Sequence, residues 1–406
     1  MTEFCRALKP IAALVLAWAW LTGIALAQSG SAYPNYNFNP IAPDQSGMGS
    51  TAVEVAARMH LGWNIGNTLE ATGGETAWGN PEITKRLIDL AKASGFDAIR
   101  LPVAWNGHAD ARTARIDEAW LRRVRQVVQY CVDDDLHVIV NVHWDGGWLE
   151  RNVDPAKAAD VNARQRALWQ QIATTFRDFD QHVIFASANE PHAETTEQMG
   201  VLLSYHQSFV DAVRATGGRN AYRVLVVQGP NTDIDKTDQL WRTMPSDPAP
   251  DRLMLEVHYY TPYNFTGMTE DQSWGRQFYY WGEGFHSRTD PDHNPTWGEE
   301  HDVDALFARM KHKFVDAGIP VIIGEFGAMR RDSLQGDALA LHLASRAHYL
   351  EYVTHLATTN GMVPFYWDSG GLDHGGSGIF DRRAYRVFDQ AALNAMLQGA
   401  GRRAIP

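Results

Sequence analysis

Apolar residues in this chain come in short solid runs, and the stretches between them repeat with a helical period. The runs predict strands at Met59–Ile65, Ala98–Val103, His137–Val142, Val183–Ala188, Val224–Gln228, Leu253–Val257, Val321–Gly324 and Val363–Trp367. A strand wetted on one face alternates apolar with polar; a strand covered on both faces reads as a continuous apolar run. The intervening periodicity predicts helices at Pro81–Ser94, Asp117–Asp133, Asp160–Phe179, Thr196–Ala215, Lys236–Arg242, Asp302–Ala317, Asp337–Ala357 and Ala384–Leu397. Asn80-Pro81 supplies a helix start, and Gly217-Gly218 and Gly361 supply stops. Eight strand–helix units without a linker between them predict an α/β fold, a single (β/α)8 TIM barrel. An open doubly wound sheet is the alternative, but Gly62-Trp63-Asn64-Ile65-Gly66-Asn67 lacks the third glycine of its phosphate-binding turn.

Three segments fall outside the repeat. Tyr263–Glu300, after the sixth strand, is long and carries Trp274, Tyr280, Trp281 and Trp297 among its aromatics. Disordered segments are poor in aromatics, so this reads as an ordered loop over the catalytic face. Residues 28–50 are rich in Ser, Pro, Asn and Gly and read as a mobile leader. Residues 1–27 read as a secretory signal: Arg6 and Lys9, an apolar run from Ile11 to Leu26, and the small-x-small pattern Ala25-Leu26-Ala27. That leaves a catalytic domain at 51–406 and a secreted product, extracellular or periplasmic, with no membrane attachment after cleavage. Cleavage removes Cys5 and leaves Cys131, which sits in a helical pattern and reads as an inert core thiol. The formal charge of -12 argues against nucleic-acid and anionic-membrane partners. Trp 14, Tyr 14 and Phe 16 are more aromatics than a core usually needs, and they read either as large-residue packing or, in part, as an open stacking surface.

In a parallel barrel, chemistry is done at the C-terminal ends of the strands. Polar residues cluster there: Arg100 on the second strand, His143-Trp144-Asp145 after the third, and Asn189-Glu190 after the fourth. His258-Tyr259-Tyr260 follow the sixth, Glu325 the seventh and Trp367-Asp368 the eighth. A single buried arginine or histidine is more often structural than catalytic; six of eight strands ending this way point to one site. Two carboxylates suit glycosidic bond cleavage, which needs an acid for the leaving oxygen and a carboxylate at the anomeric carbon. A neighbouring arginine holds one carboxyl ionised, a tyrosine hydroxyl orients it, and histidines tune the other. Neither a His-x-His nor a His-Glu-x-x-His cluster occurs, so neither a metal nor a cofactor is expected. Gly375-Gly376-Ser377-Gly378-Ile379 lacks the last glycine of a serine-hydrolase elbow. A non-catalytic carbohydrate-binding protein is the alternative from another class. It would keep the tryptophans without needing both glutamates, Arg100 and Tyr260.

Six stretches match, in order, motifs of glycoside hydrolase family 5. They are Ile99-Arg100-Leu101-Pro102-Val103, Asn141-Val142-His143-Trp144, Ala188-Asn189-Glu190-Pro191, Val257-His258-Tyr259-Tyr260, Gly324-Glu325-Phe326-Gly327 and Phe365-Tyr366-Trp367. The chain resembles the endo-β-1,4-glucanases (cellulases) of that family over roughly residues 55 to 395. The resemblance implies a retaining, endo-acting enzyme with Glu190 as acid/base and Glu325 as nucleophile. It implies support from Arg100 and Tyr260, with His143, His258 and Asn189 lining the site. Trp367 would stack on a sugar on the non-reducing side of the cut. Asn64, Trp63, Trp144, Trp105, Trp148 and Trp281 are further candidate substrate contacts, and the bond after Trp367 is expected to be cis. Trp144 stands where many relatives carry a second histidine, which leaves subsite detail open. The expected partner is a β-glucan, cellulose or a related polymer, met by a monomer. Xyloglucan, mixed-linkage glucan and β-mannan remain alternatives on the same catalytic set.

Overall fold

The computed structural model describes residues 33–404; the predicted signal segment lies outside them. The eight barrel strands are β1 (Gly62–Ile65), β2 (Ala98–Leu101), β3 (His137–Asn141), β4 (Val183–Ala186), β5 (Leu225–Gln228), β6 (Leu253–Tyr259), β7 (Val321–Phe326) and β8 (Val363–Asp368). Each pairs in parallel with the next, and β8 pairs with β1 to close the barrel. The solid apolar runs are explained by two covered faces. Ile99, Val138 and Leu255 point outward to the main core under the helices. Ala98, Ile139, Ile184, Val226, Met254 and Phe365 meet inside the barrel. One pleat above that apolar floor the inward positions turn polar: Arg100, Asn141, Gln228 and Glu256 are all fully buried. This polar layer carries the mouth of the barrel.

One strand breaks the alternation. Ile322 is inside and Ile323 outside, which puts Gly324 inside and would send Glu325 outward. The register slips by one residue here against both neighbours: Val257 pairs with Ile323, but His258 pairs with Glu325. A one-residue bulge re-aims the next side chain, so Gly324 and Glu325 both face the barrel axis. Gly324 is required for packing: a Cβ there would lie 1.9 Å from Glu256 Oε1.

The covering helices are Lys85–Ala93, Glu118–Asp133, Ala158–Thr175, Thr196–Ala215, Ile234–Leu240, Glu300–Lys313, Gly336–Thr359 and Gln390–Gly399. The first starts later than Pro81 suggests. The Glu75 carboxylate binds the Ile83 amide, and Thr84 caps the helix at the Leu87 amide. The last starts later because a small hairpin, Phe380–Asp381 against Arg386–Val387, precedes it. The leader reading needs correction from residue 33 on, because that segment is tied to the barrel wall. Tyr36 Oη donates to Thr113 O, Asn37 Nδ2 donates to Ala215 O, and Ile41 bridges to Gly217. Side-chain and backbone hydrogen bonds together supply the anchors there, which composition alone does not show. The aromatic loop is ordered as expected. Fully buried Arg331 donates to Asn264 O and Met268 O, and Trp281 Nε1 donates to Gly298 O. Cys131 is a free, buried thiol. Among the described residues no helix is long and apolar enough to cross a membrane.

Candidate active site

Glu190 and Glu325 face each other across the mouth of the barrel. A carboxylate oxygen of each and a ring nitrogen of His258 all lie within 4.8 Å of one another. Glu325 is held from both ends. Arg100 Nη1 donates to its Oε1 at 2.9 Å, and Tyr260 Oη donates to its Oε2 at 3.0 Å. Glu190 is the more open of the two, its side chain 42% exposed against 8% for Glu325. Its Oε1 lies 2.8 Å from His258 Nδ1. The same three groups could gather a cation on distance alone. The Arg100 charge on Glu325 opposes one.

Arg100 is the hub of the site. Its fork reaches Asn64 Oδ1 and Glu325 Oε1 through Nη1 and Asn189 Oδ1 through Nη2, and Nε lies 2.8 Å from Glu256 Oε1. A planar, permanently charged fork can position four groups at once; a lysine cannot. Glu256 also accepts from Gln228 Nε2 and touches His258 Nε2 at 3.2 Å. Burial would lower the His258 pKa, but Glu325, Glu190 and Glu256 outweigh it and raise it to about 9. His143 is the opposite case. Burial first, then the Arg100 and His258 charges, hold it well below the usual histidine range and therefore neutral. Burial and the nearby carboxylates keep the Tyr260 phenol protonated, so it remains a donor.

The two glutamates shift in opposite directions. Burial raises Glu325, with Glu190 and Glu256 adding to it against His258 and Arg100. Burial would also raise Glu190, but the His258 hydrogen bond and charge bring it below the ordinary carboxylate range.

The structure divides the remaining candidates. Trp367 is partly exposed. It lies against His143, with ring centroids 5.7 Å apart, and lines a cavity with Tyr260 and Gly327. Gly66 lets the ring lie close, since a Cβ there would sit 2.8 Å from it. Trp144 is also partly open, with Arg151 over its ring. Trp63, Trp105 and Trp281 are corrections: each is fully buried and offers no face to a ligand. Each indole N–H is spent inside, on Asp368 Oδ2, Asn141 O and Gly298 O respectively, as buried tryptophans require. Trp148 is half-buried against the core beneath Arg164. Asn64 is buried and positions Arg100; its Nδ2 donates to Gly324 O. The bond after Trp367 is not cis; among the described residues that geometry occurs at Thr261–Pro262. β8 runs on through Asp368, which pairs with Ile65.

Two acidic residues escaped the sequence reading. Glu256 is buried within the apolar run of β6, and a carboxylate inside such a run was itself the signal. Glu150 is fully buried, and its carboxylate oxygens have no partner among the described residues. Burial first, then Asp145 and Glu190, push it up to about 8, so it is a neutral acid at pH 7.

Comparison with known proteins agrees with this geometry. Residues 64–373 match the family described as Cellulase (glycosyl hydrolase family 5). A xyloglucan-specific endo-β-1,4-glucanase from Bacteroides ovatus is 41% identical over 386 residues, 91% of this chain and 73% of that protein. Endoglucanase A from Paenibacillus barcinonensis is 35% identical over 93% of this chain and 97% of its own length. The crystal structure of a xyloglucan-specific β-1,4-glucanase from a ruminal metagenomic library, in complex with XXLG, superposes with a TM-score of 0.81. It is 39% identical and covers 88% of this chain and 98% of that one. The chain belongs to glycoside hydrolase family 5 and is an endo-acting β-1,4-glucanase.

Proposed function

We propose that this enzyme cuts the glucan chain by double displacement with retention, using Glu325 as nucleophile and Glu190 as acid/base. Glu325 forms a bond to the anomeric carbon as the glycosidic C–O bond breaks, and Glu190 gives its proton to the leaving oxygen. Water then loses a proton to Glu190, attacks the same carbon and displaces Glu325. The observation carrying this reading is the approach of the two carboxylates to within 4.8 Å; retaining enzymes hold them about 5 Å apart, and inverting enzymes leave room for a water at about 6.5–9.5 Å. A bound sugar shields Glu190, the more open carboxyl, from water and raises its proton affinity, while Glu325 keeps its Arg100 and Tyr260 donors. Asn189, its Oδ1 held by Arg100, has its amide nitrogen left for a hydroxyl of the reacting sugar. Trp367 stacks on that sugar or its non-reducing neighbour. Proton NMR of the first products tests the mechanism: the β anomer should appear first, and an initial α anomer would refute it.

A β-1,4-glucan backbone is the proposed substrate, and a branched xyloglucan is the second reading. It is favoured by the names of the relatives that are 39–41% identical. Initial rates on xyloglucan, mixed-linkage glucan, carboxymethylcellulose and mannan separate the two. The apolar N-terminal run and small-x-small pattern support secretion without membrane attachment.

A further inference from the structure

Three carboxylates crowd the mouth of the barrel, and one of them, Glu256, has no part in bond cleavage. Side chains on one face of a strand recur at every second position, so Met254, Glu256 and His258 follow one another up the inside of β6. Met254 belongs to the apolar floor, Glu256 to the polar layer above it, and His258 reaches the rim beside Glu190. Glu256 is fully buried, which puts it out of reach of a sugar. An unpaired carboxylate in such a place is costly, so its partners explain it. Arg100 Nε lies 2.8 Å and His258 Nε2 3.2 Å from its Oε1, and Gln228 Nε2 donates to its Oε2 at 2.6 Å. Gly324, at the β7 bulge, leaves the room its Oε1 occupies.

Arg100 is the permanent cation of the cluster, set against Glu190, Glu256 and Glu325, and it cannot balance all three. His258 is placed to carry the second positive charge: its ring nitrogens lie 2.8 Å from Glu190, 3.2 Å from Glu256 and 3.7 Å from Glu325. The other groups facing the cluster supply no charge. His143 is held neutral, Tyr260 keeps its proton, and Gln228 is an amide. Burial would lower the His258 pKa, but the three carboxylates raise it to about 9. An imidazolium donates from both nitrogens, and here the two are not equivalent. Nε2 faces Glu256, sealed inside the barrel. Nδ1 faces Glu190, whose side chain is 42% exposed. A proton on Nε2 has no way out; a proton on Nδ1 has one, through Glu190.

We propose that Glu256 is a positioning residue for the reaction: it holds one proton on His258 Nε2 and so makes the Nδ1 proton the one available to Glu190. This rests on the assignment of Glu190 as the acid. In the first step the N–H bond at Nδ1 breaks as an O–H bond forms at Glu190 Oε1, and Glu190 passes that proton to the leaving oxygen. The ring is left neutral, with its remaining hydrogen on Nε2 against Glu256. In the second step the attacking water gives a proton to Glu190, and Nδ1 takes it back. A carboxylate fixes the histidine tautomer of a serine-hydrolase triad in the same way.

The test follows the alkaline limb of the kcat/KM profile in Glu256→Gln, which keeps the shape of the side chain and removes its charge. On carboxymethylcellulose the limb should move to lower pH by about 1–3 units, the scale of one charge lost at hydrogen-bonding distance. On dinitrophenyl cellobioside, whose leaving group needs no proton, the profile should show no such shift. Glu256→Asp, which keeps the charge, should bring the polymer limb back toward the parent's. A limb that stays in place on the polymer, or moves equally on both substrates, overturns the proposal. Nitrogen NMR of labelled histidine in the parent reads the ring without any Glu256 variant, the His258 signals being those lost in His258→Asn. Both ring nitrogens should be protonated at pH 7; a neutral ring overturns the proposal. Equal loss on both substrates in Glu190→Ala would instead overturn the acid assignment, and this proposal with it.

Discussion

Replacing Arg100 by Met removes the cation that both Glu325 and Glu256 face inside the barrel. The loss disfavours the charged form of each carboxyl, so both bind protons more tightly. One unit charge at about 4 Å, in an effective dielectric of about 20, is worth about 4 kcal/mol, which corresponds to a shift of about 3 pH units. His258 stays 3.7 Å from Glu325 and retains part of the stabilisation, so 3 units is an upper bound. As the proposed nucleophile Glu325 must be ionised to attack, so the acid limb of the kcat/KM profile should move to higher pH by up to that amount. Stability should carry the same signature. A carboxyl whose folded pKa rises above the unfolded value, 4.5 for glutamate, holds protons that the unfolded chain has released. That stability is present below 4.5 and is lost as pH climbs through the raised value. The melting temperature of Arg100→Met should therefore fall from pH 5 to pH 8 more steeply than that of the parent. Arg100→Lys separates charge from shape. It should keep the acid limb near its original place but lower kcat, because one ammonium cannot hold Asn64, Asn189 and Glu325 together. Profiles and melting curves of Arg100→Met that overlay the parent's would refute the reasoning.

Glu190→Ala should lower kcat/KM on polysaccharide by about 10²–10⁴-fold, the usual worth of a general acid. Dinitrophenyl cellobioside, whose leaving group needs no proton, should lose far less in its first step, and added azide should restore turnover as a β-glycosyl azide. Equal loss on both substrates would point to a structural role for Glu190. Trp281→Ala should cost about 3–5 kcal/mol of stability, as large-to-small core changes do, read as a lower denaturant midpoint; a protein of unchanged stability would contradict its buried clamp role.

How far the sequence could be read follows from what each residue answers to. The strands were legible because burial on both faces forces continuous apolar runs, and the cluster around Glu190 and Glu325 because most of its members stand at or near the ends of such runs. Glu325 is an instructive exception. Strict alternation would have turned it to the outside, and only the extra residue at Gly324 brings it in. The glycine next to the glutamate was visible, but its reason, the Glu256 carboxylate 1.9 Å from where a Cβ would sit, is a tertiary contact between strands about 70 residues apart. The tryptophans misled for a related cause. Trp63, Trp105 and Trp281 are as large and polar-tipped as Trp297, and residue type does not say whether an indole N–H will find a carbonyl or carboxylate partner inside. In the structure those three do find one, while Trp297 is 49% exposed. The leader misled in the other direction: its Ser, Pro and Asn looked loose, yet Tyr36 and Asn37 reach backbone carbonyls far along the chain. Periodicity records which faces are covered. Which polar side chain meets which partner is decided by register, and here a single bulged residue sets the register of Glu325, the proposed nucleophile.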